Sequence, residues 1–190
     1  SGEDILTPTY TAAIGDAGNT VTLIMTVTSS LTPVCFPAAT AIYTILVNPL
    51  PTATAGGSQT ICSNTSATVI GASAANGTIF WTHNGAGTIT NGQGTINPTY
   101  TANTSDVGNT VTLTMTVTSS FTPACIPVAT ATYTIIVNPL PTASSGGSQT
   151  ICANEFATVS GATSSSPSSI NWTHNGAGNI TSGQGTLSPT

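Results

Sequence analysis

The chain has 190 residues, five acidic side chains, no Lys or Arg, and a formal net charge of −5. A surface without cations cannot displace the counterions of a phosphate backbone, which excludes nucleic-acid binding, and it offers no basic patch to an anionic membrane. Ser and Thr supply 61 residues, but hydrophobic residues still make up 38% and they alternate, so the composition is that of a folded β protein rather than a disordered one.

The elements follow in chain order. Residues 19–28 place Val21, Leu23, Met25 and Val27 on one face and threonines on much of the other, the period of two of a half-buried strand. The proline-containing stretch after Ser29 cannot lie in a sheet interior and reads as a hairpin loop. A second strand carries Ala41, Tyr43, Ile45 and Val47 on one face. Asn48-Pro49-Leu50-Pro51 then forms a stiff connector. Ile79, Trp81 and His83 share a face of a third strand, and Asn84-Gly85 behind it predicts a type I′ hairpin turn. In 109–118, Val111, Leu113, Met115 and Val117 face inward, while Thr110, Thr112, Thr114, Thr116 and Thr118 face out at about 6.6–6.8 Å spacing. Residues 131–137 repeat the Ala-x-Tyr-x-Ile-x-Val pattern, and Asn138-Pro139-Leu140-Pro141 repeats the connector. Ile170, Trp172 and His174, followed by Asn175-Gly176, repeat the third strand.

These recurrences are one internal repeat. Residues 1–50 return at 91–140 with 33 of 50 positions identical, and 51–71 return at 141–161. A period of about 90 residues is that of a domain rather than of a solenoid coil. With no helical periodicity and a turn every 8–12 residues or so, each period fits an all-β, immunoglobulin-like sandwich. The expected organisation is a C-terminal half repeat at 1–50, a complete repeat at 51–140 and an N-terminal half repeat at 141–190. Residues 1–9 align with 182–190, which suggests a window on a longer array or one subunit of a polymer. In a polymer, 141–190 of one copy would supply the strands that 1–50 of the next lacks. No apolar run is long enough for a transmembrane helix, and no basic-then-apolar leader is seen.

The segment NPTYTANTSDVGNTVTLTMTVTS at 97–119, Gly-Gly-Ser-Gln-Thr-Ile-Cys at 146–152 and the Asn-Pro-Leu-Pro connectors resemble the PKD-like, Ig-like tandem repeats of large secreted surface proteins of gliding, Bacteroidetes-type bacteria. The resemblance covers essentially the whole chain. It implies an extracellular adhesin or filament, exported and glycosylated. The Asp16-Ala17-Gly18 and Asp106-Val107-Gly108 turns look like the immunoglobulin Asp-x-Gly corner, but Thr20 and Thr110 stand where its Tyr would be, and Thr22 and Thr112 where its Cys would be. An antibody-type inter-sheet disulfide is therefore missing.

Cysteines stand at Cys35, Cys62, Cys125 and Cys152, two per period, without the close spacing or paired histidines of a zinc site. In an extracellular chain they point to disulfides. The reading adopted is Cys62–Cys125 within the complete repeat, with Cys35 and Cys152 pairing with neighbouring half repeats; the resembled repeats imply the same early-to-late pairing. Cys35–Cys62 with Cys125–Cys152 is the alternative. Loop entropy does not separate them, because both spans are worth roughly 4 kcal/mol.

Chemical centres are scarce. His83 and His174 lack a nearby carboxylate, Cys or second His in sequence and read as strand-closing residues. Asp16 and Asp106 read as turn formers. Glu3 and Asp4, the one adjacent acidic pair, become Gln93 and Gly94 in the next copy, so no calcium loop belongs to the repeat. No metal, cofactor or catalytic residue is expected. Sugar attachment is the competing reading for the outward threonines, centred on Thr112, Thr114 and Thr116; a plain hydrated strand face and ordered-water binding are the others. Asn-x-Ser/Thr acceptors occur at Asn64, Asn76, Asn103, Asn171 and Asn179, none at equivalent positions of the two copies. The expected function is a structural module of an extracellular bacterial fibre or adhesin stalk. Its partners are neighbouring repeats or copies of itself, with covalent glycans, no nucleic acid and no membrane insertion. A carbohydrate- or surface-binding adhesin module is the alternative, though Trp81 and Trp172 face inward and the outward Phe80 becomes Asn171.

Overall fold

The computed structural model describes residues 6–165 and 168–190. The described chain is all-β apart from two single 3-10 turns, and it divides into two compact units, Ser1–Val137 and Asn138–Thr190. Glu3 and Asp4 lie outside the described residues.

In the first unit, β1 (Thr20–Val27) and β2 (Ala39–Leu46) form a two-stranded antiparallel sheet. The strands that follow are β3 (Thr52–Thr54), β4 (Ser58–Cys62), β5 (Ser66–Thr68), β6 (Ser73–Ala75) and β7 (Gly77–His83). They continue with β8 (Thr88–Asn91), β9 (Thr99–Thr101), β10 (Thr110–Ser119) and β11 (Ala129–Asn138). One sheet has the order β4-β11-β10-β7, a second β5-β9-β8, and β3 pairs with β6.

Alternation decides which side of these sheets is dry. Val111, Leu113, Met115 and Val117 of β10 and Tyr133, Ile135 and Val137 of β11 are buried, together with Trp81 of β7. Tyr100 of β9 and Ala67 of β5 come from the second sheet and join the same apolar cluster. Register aligns the large groups: Leu113 stands opposite Tyr133, and Met115 stands opposite Ala131 on one side and Trp81 on the other. Trp81 Nε1 donates to Thr95 O at 2.8 Å, so its one polar atom enters the core satisfied.

The Asn84-Gly85 hairpin does not form. Neither residue has positive φ, and β7 and β8 belong to different sheets, so this segment is a corner crossing from one sheet to the other. A type I′ turn joins strands that pair with each other, but β7 pairs with β10. Asn84 prolongs that pairing: its Oδ1 accepts from Thr112 N at 2.7 Å and its own N donates to Thr112 O at 3.3 Å. A turn with positive φ does occur at Asn76 (φ 61), whose Nδ2 donates to Leu50 O at 2.9 Å and ties the connector to the β6–β7 turn.

The β1–β2 hairpin has the same internal register as β10–β11, with Leu23 opposite Tyr43. Among the described residues it has neither a third strand nor a facing sheet. Tyr43 is 69% exposed where Tyr133 is 1% exposed, and Met25 is 46% exposed where Met115 is fully buried.

The second unit contains β12 (Ala143–Ser144) and β13 (Thr163–Ser164), paired antiparallel as β3 and β6 are. Among its described residues no other strand forms, although local bonds repeat: Trp172 Nε1 donates to Thr186 O at 2.8 Å. Strands equivalent to β4 and β7 need the β10–β11 ribbon between them, and this unit holds no such ribbon.

Leu113→Ala is expected to lower the stability of the 51–137 region by about 2–5 kcal/mol, while Leu23→Ala leaves it unchanged within about 0.5 kcal/mol. Denaturant unfolding followed by Trp81 fluorescence in a Trp172→Phe background measures both; equal losses would show that the two ribbons share one core.

Candidate functional site

The densest polar cluster surrounds Asp106. Asn103 caps the 3-10 turn Thr104–Asp106, its Oδ1 accepting from Ser105 N at 3.0 Å. The turn aims the Asp106 carboxylate inward, where the residue is 3% exposed. Oδ1 accepts from Ala86 N at 2.6 Å; Oδ2 accepts from Tyr100 Oη at 2.8 Å, Asn103 N at 2.9 Å and Gly87 N at 3.2 Å. Gly87 N also donates to Tyr100 Oη at 2.8 Å. The glycines of this corner are required by closeness rather than by φ: a Cβ on Gly85 would overlap Tyr100 Oη, and one on Gly87 would overlap Thr101 O.

Burial pushes the Asp106 carboxyl up, but the donors Asn103 N, Ala86 N, Tyr100 Oη and Gly87 N outweigh it and hold the group below its ordinary value. Tyr100 is pushed up to about 12, first by burial and then by donating to Asp106. The His83 ring meets Tyr100 edge to face at 5.1 Å, and His83 Nδ1 donates to Gly85 O at 3.1 Å. At 3% exposed, the Asp106 carboxylate faces its four donors rather than solvent. The cluster clamps the β7–β8 corner onto the β9–β10 turn, a role larger than that of a turn former.

Asp16 occupies the equivalent place beside β1 with half of these partners. Asp16 Oδ2 accepts from Tyr10 Oη at 2.5 Å and from Ala13 N at 2.8 Å. The amides equivalent to Ala86 and Gly87 are those of Ala177 and Gly178, in the second unit.

The threonine face is wider than one strand. Thr114 stands between Thr132 of β11 and Thr82 of β7, and Thr112 stands opposite Thr134. Thr112, Thr114 and Thr116 are half-buried between their neighbours, whereas Thr78, Thr82, Thr118 and Thr132 are exposed. This cross-strand ladder is not visible in any one segment, because it depends on register. Of the acceptor asparagines, Asn64, Asn103, Asn171 and Asn179 are exposed; Asn76 is half-buried with its Nδ2 already given to Leu50 O.

All four cysteines stand as free thiols in the structure, with Cys62 and Cys125 at opposite ends of the module. Cys62 O accepts from Thr65 N, Thr65 O accepts from Ala102 N beside the Asp106 turn, and Gly108 N past that turn donates to Val137 O. Cys62 thus lies at the end of the module where β11 finishes. Cys125 lies in the loop between Ser119 and Ala129, at the other end, with its Sγ 3.6 Å from Asn48 O. The ends of the ribbon, Thr110 and Val117, are separated by roughly 24 Å of strand, and a disulfide needs Cα atoms within about 7 Å. That two residues fall early and late in one repeat does not say at which end of a strand each lies. Cys35 Sγ contacts Pro33 O of its own loop at 3.9 Å. Among the described residues no group of three or more His, Cys, Asp and Glu is placed to hold a metal, and no helix is long and apolar enough to cross a membrane.

No family model and no curated protein matches the chain. Among solved structures, a nucleoside hydrolase-related hypothetical protein from Saccharophagus degradans, associated with carbohydrate metabolism, is similar at a TM-score of 0.40 and 15% identity over 49% of this chain. The match spans 26% of that protein, a likeness too slight to assign fold or activity.

Asp106→Asn is expected to cost at least about 2 kcal/mol, because an amide nitrogen then faces backbone donors in a buried site. The folded Asp106 is the stronger acid, so its contribution is full above the ordinary carboxylate value of 3.8 and declines as pH falls through the lower folded value. Denaturant midpoints measured from neutral to acidic pH should therefore drop less steeply for the variant than for the parent. Separately, Cys62→Ser and Cys125→Ser should each leave the midpoint of non-reduced protein unchanged, whereas loss of an intramodule disulfide would lower stability by about 2–5 kcal/mol.

Proposed function

We propose that the chain is a structural stretch of an extracellular bacterial fibre or adhesin stalk, built from tandem immunoglobulin-like, PKD-like sandwiches that carry glycans and no catalytic centre. The observation that carries this reading is where the connectors leave the 51–137 module. Asn48 and Leu50 are held at one end, by Cys125 and Asn76. Val137 leaves at the other, beside Gly108 and Asn109. The chain thus enters and leaves this module at opposite ends, and a pull applied through its two connectors passes along its length. The first long strand, β4, is a hydrogen-bonded neighbour of the last, β11, so the two ends of the chain are coupled within one sheet.

The composition supports the same reading. A nearly uncharged, hydroxyl-rich surface stays hydrated over a wide range of salt, since little of its solubility depends on screened charge. Exposed Thr78, Thr82, Thr118 and Thr132 on one face, with Asn64, Asn103, Asn171 and Asn179, supply attachment points for sugars. The fully engaged Asp106 and the Gly85-bonded His83 supply no catalytic pair.

Single-molecule pulling tests the mechanical reading. Each module should unfold as one event that releases roughly 30 nm of contour, the extended length of about 90 residues. Specific, saturable binding on a glycan array, lost on one surface substitution, would replace the stalk reading with that of a binding module.

A further inference from the structure

We propose that Gln93, in the turn 92–95, guards the open edge of β7. Its side chain takes the place on the backbone that another strand would take, and it keeps the module from pairing edge to edge. This role belongs to the 51–137 module itself and does not depend on the fibre reading.

β7 is the edge strand of its sheet, paired with β10 and, among the described residues, with no strand on its other side. The pairing fixes which backbone groups are left over. Just past the two ends of the ladder, Ser120 N donates to Asn76 O at 3.4 Å and Asn84 N donates to Thr112 O at 3.3 Å. Bonded and non-bonded positions alternate along an antiparallel pair. The even-numbered residues of β7 therefore bond to β10, while Ile79, Trp81 and His83 turn their N–H and C=O groups to the open edge. Such a row is a template for another strand, and charged side chains are the common protection. β7 carries no Asp, Glu, Lys or Arg.

The turn 92–95 closes this edge. Gly92 (φ 72) opens it, and Gly92 O accepts from both Thr95 N and Thr95 Oγ1 at 2.9 Å. Gln93 Nε2 donates to Trp81 O at 2.5 Å, and Trp81 Nε1 donates to Thr95 O at 2.8 Å, so Trp81 is held by its backbone and by its ring. Between these two bonds, a Cβ on Gly94 would lie 3.9 Å from Ile79 O, which places the turn over the next edge-facing carbonyl. An arriving strand needs both carbonyls and has to displace Gln93 to reach them.

Two observations separate guarding from plain packing. Gln93 Oε1 is buried without a hydrogen-bond partner. A buried oxygen that lacks a donor is destabilising, so an apolar side chain would fill this place with less penalty, but it could not donate to Trp81 O. The second copy also builds the same strap. Gln184 Nε2 donates to Trp172 O at 2.7 Å, Trp172 Nε1 donates to Thr186 O at 2.8 Å, and a Cβ on Gly185 would lie 3.8 Å from Ile170 O. No strand forms at 170–174, so the strap is set by its own local sequence rather than by the sheet it covers.

Amide hydrogen exchange of the full chain, read at Ile79, Trp81 and His83, tests this at β7 alone. In the parent these edge-facing amides should exchange at a rate independent of protein concentration. Gln93→Leu fills the same space without a donor, and its β7 amides should slow by about tenfold or more as concentration is raised and strands pair along the freed edge. Thr82 is exposed on the outer face of β7. Adding Thr82→Lys to Gln93→Leu puts a charge on that edge and should return the amides to the parent's behaviour. The amides of Leu113 and Ile135 report whether each variant is folded. A Gln93→Leu chain whose β7 exchange ignores concentration overturns the proposal, as does a double variant that associates like Gln93→Leu. Loss of protection at Leu113 and Ile135 in Gln93→Leu overturns it too, since Gln93 is then needed to build the module rather than to guard it.

Discussion

A long two-stranded ribbon with one apolar face cannot stand in water by itself, and this constraint organises the whole chain. The ribbon occurs twice with nearly the same sequence. As β10–β11 it is flanked by β4 and β7 and faced by β5-β9-β8, and its large side chains disappear from solvent. As β1–β2 it keeps its register and loses its cover. Each fully buried Val, Leu, Met or Tyr is worth about 1.5–3 kcal/mol, and a lone hairpin is marginal at best. Backbone pairing alone therefore explains the shape of the ribbon but not its persistence.

The second constraint is electrostatic. A buried carboxylate is costly unless donors surround it, and Asp106 has donors from the β7–β8 corner, β9 and its own turn. Those pieces belong to both sheets and lie far apart in sequence. The clamp can form only when the sandwich is assembled, so it reports on completeness in a way that apolar contact does not. Hydrophobic surfaces tolerate sliding, whereas a carboxylate with four specified donors does not. At Asp16 the same turn holds two of the four donors, those of Tyr10 and Ala13.

Strands were readable wherever a single segment carried the information. Alternation located β1, β2, β10 and β11 and the inward tryptophan of β7, because a period of two needs no knowledge of the partner. Features that depend on a partner were misread or missed. Asn84-Gly85 has the chemistry of a hairpin turn, but β7 pairs with β10, and the dipeptide became a corner between sheets. The places of the cysteines were illegible for a related reason: position along the repeat does not reveal the direction of a strand, and Cys62 and Cys125 stand at opposite ends. Asp106 was recognised as part of a turn. Its burial was illegible because Ala86 and Gly87 donate through backbone amides, which no side-chain motif announces. The threonine ladder across β7, β10 and β11 likewise needed register.

The absence of Lys and Arg bears on assembly as well as on partners. Soluble β proteins commonly protect sheet edges with charged side chains, lysine above all, because an open edge invites another strand. This chain has no lysine or arginine to place there, and its edges are dressed with threonine, which favours strands. The outer edge of β1 is open in that sense, with Thr20, Thr22 and Thr26 along it and no charge. Threonine there favours the extended backbone without repelling a neighbouring strand, and hydroxyl groups on the exposed faces keep the surface hydrated without charge.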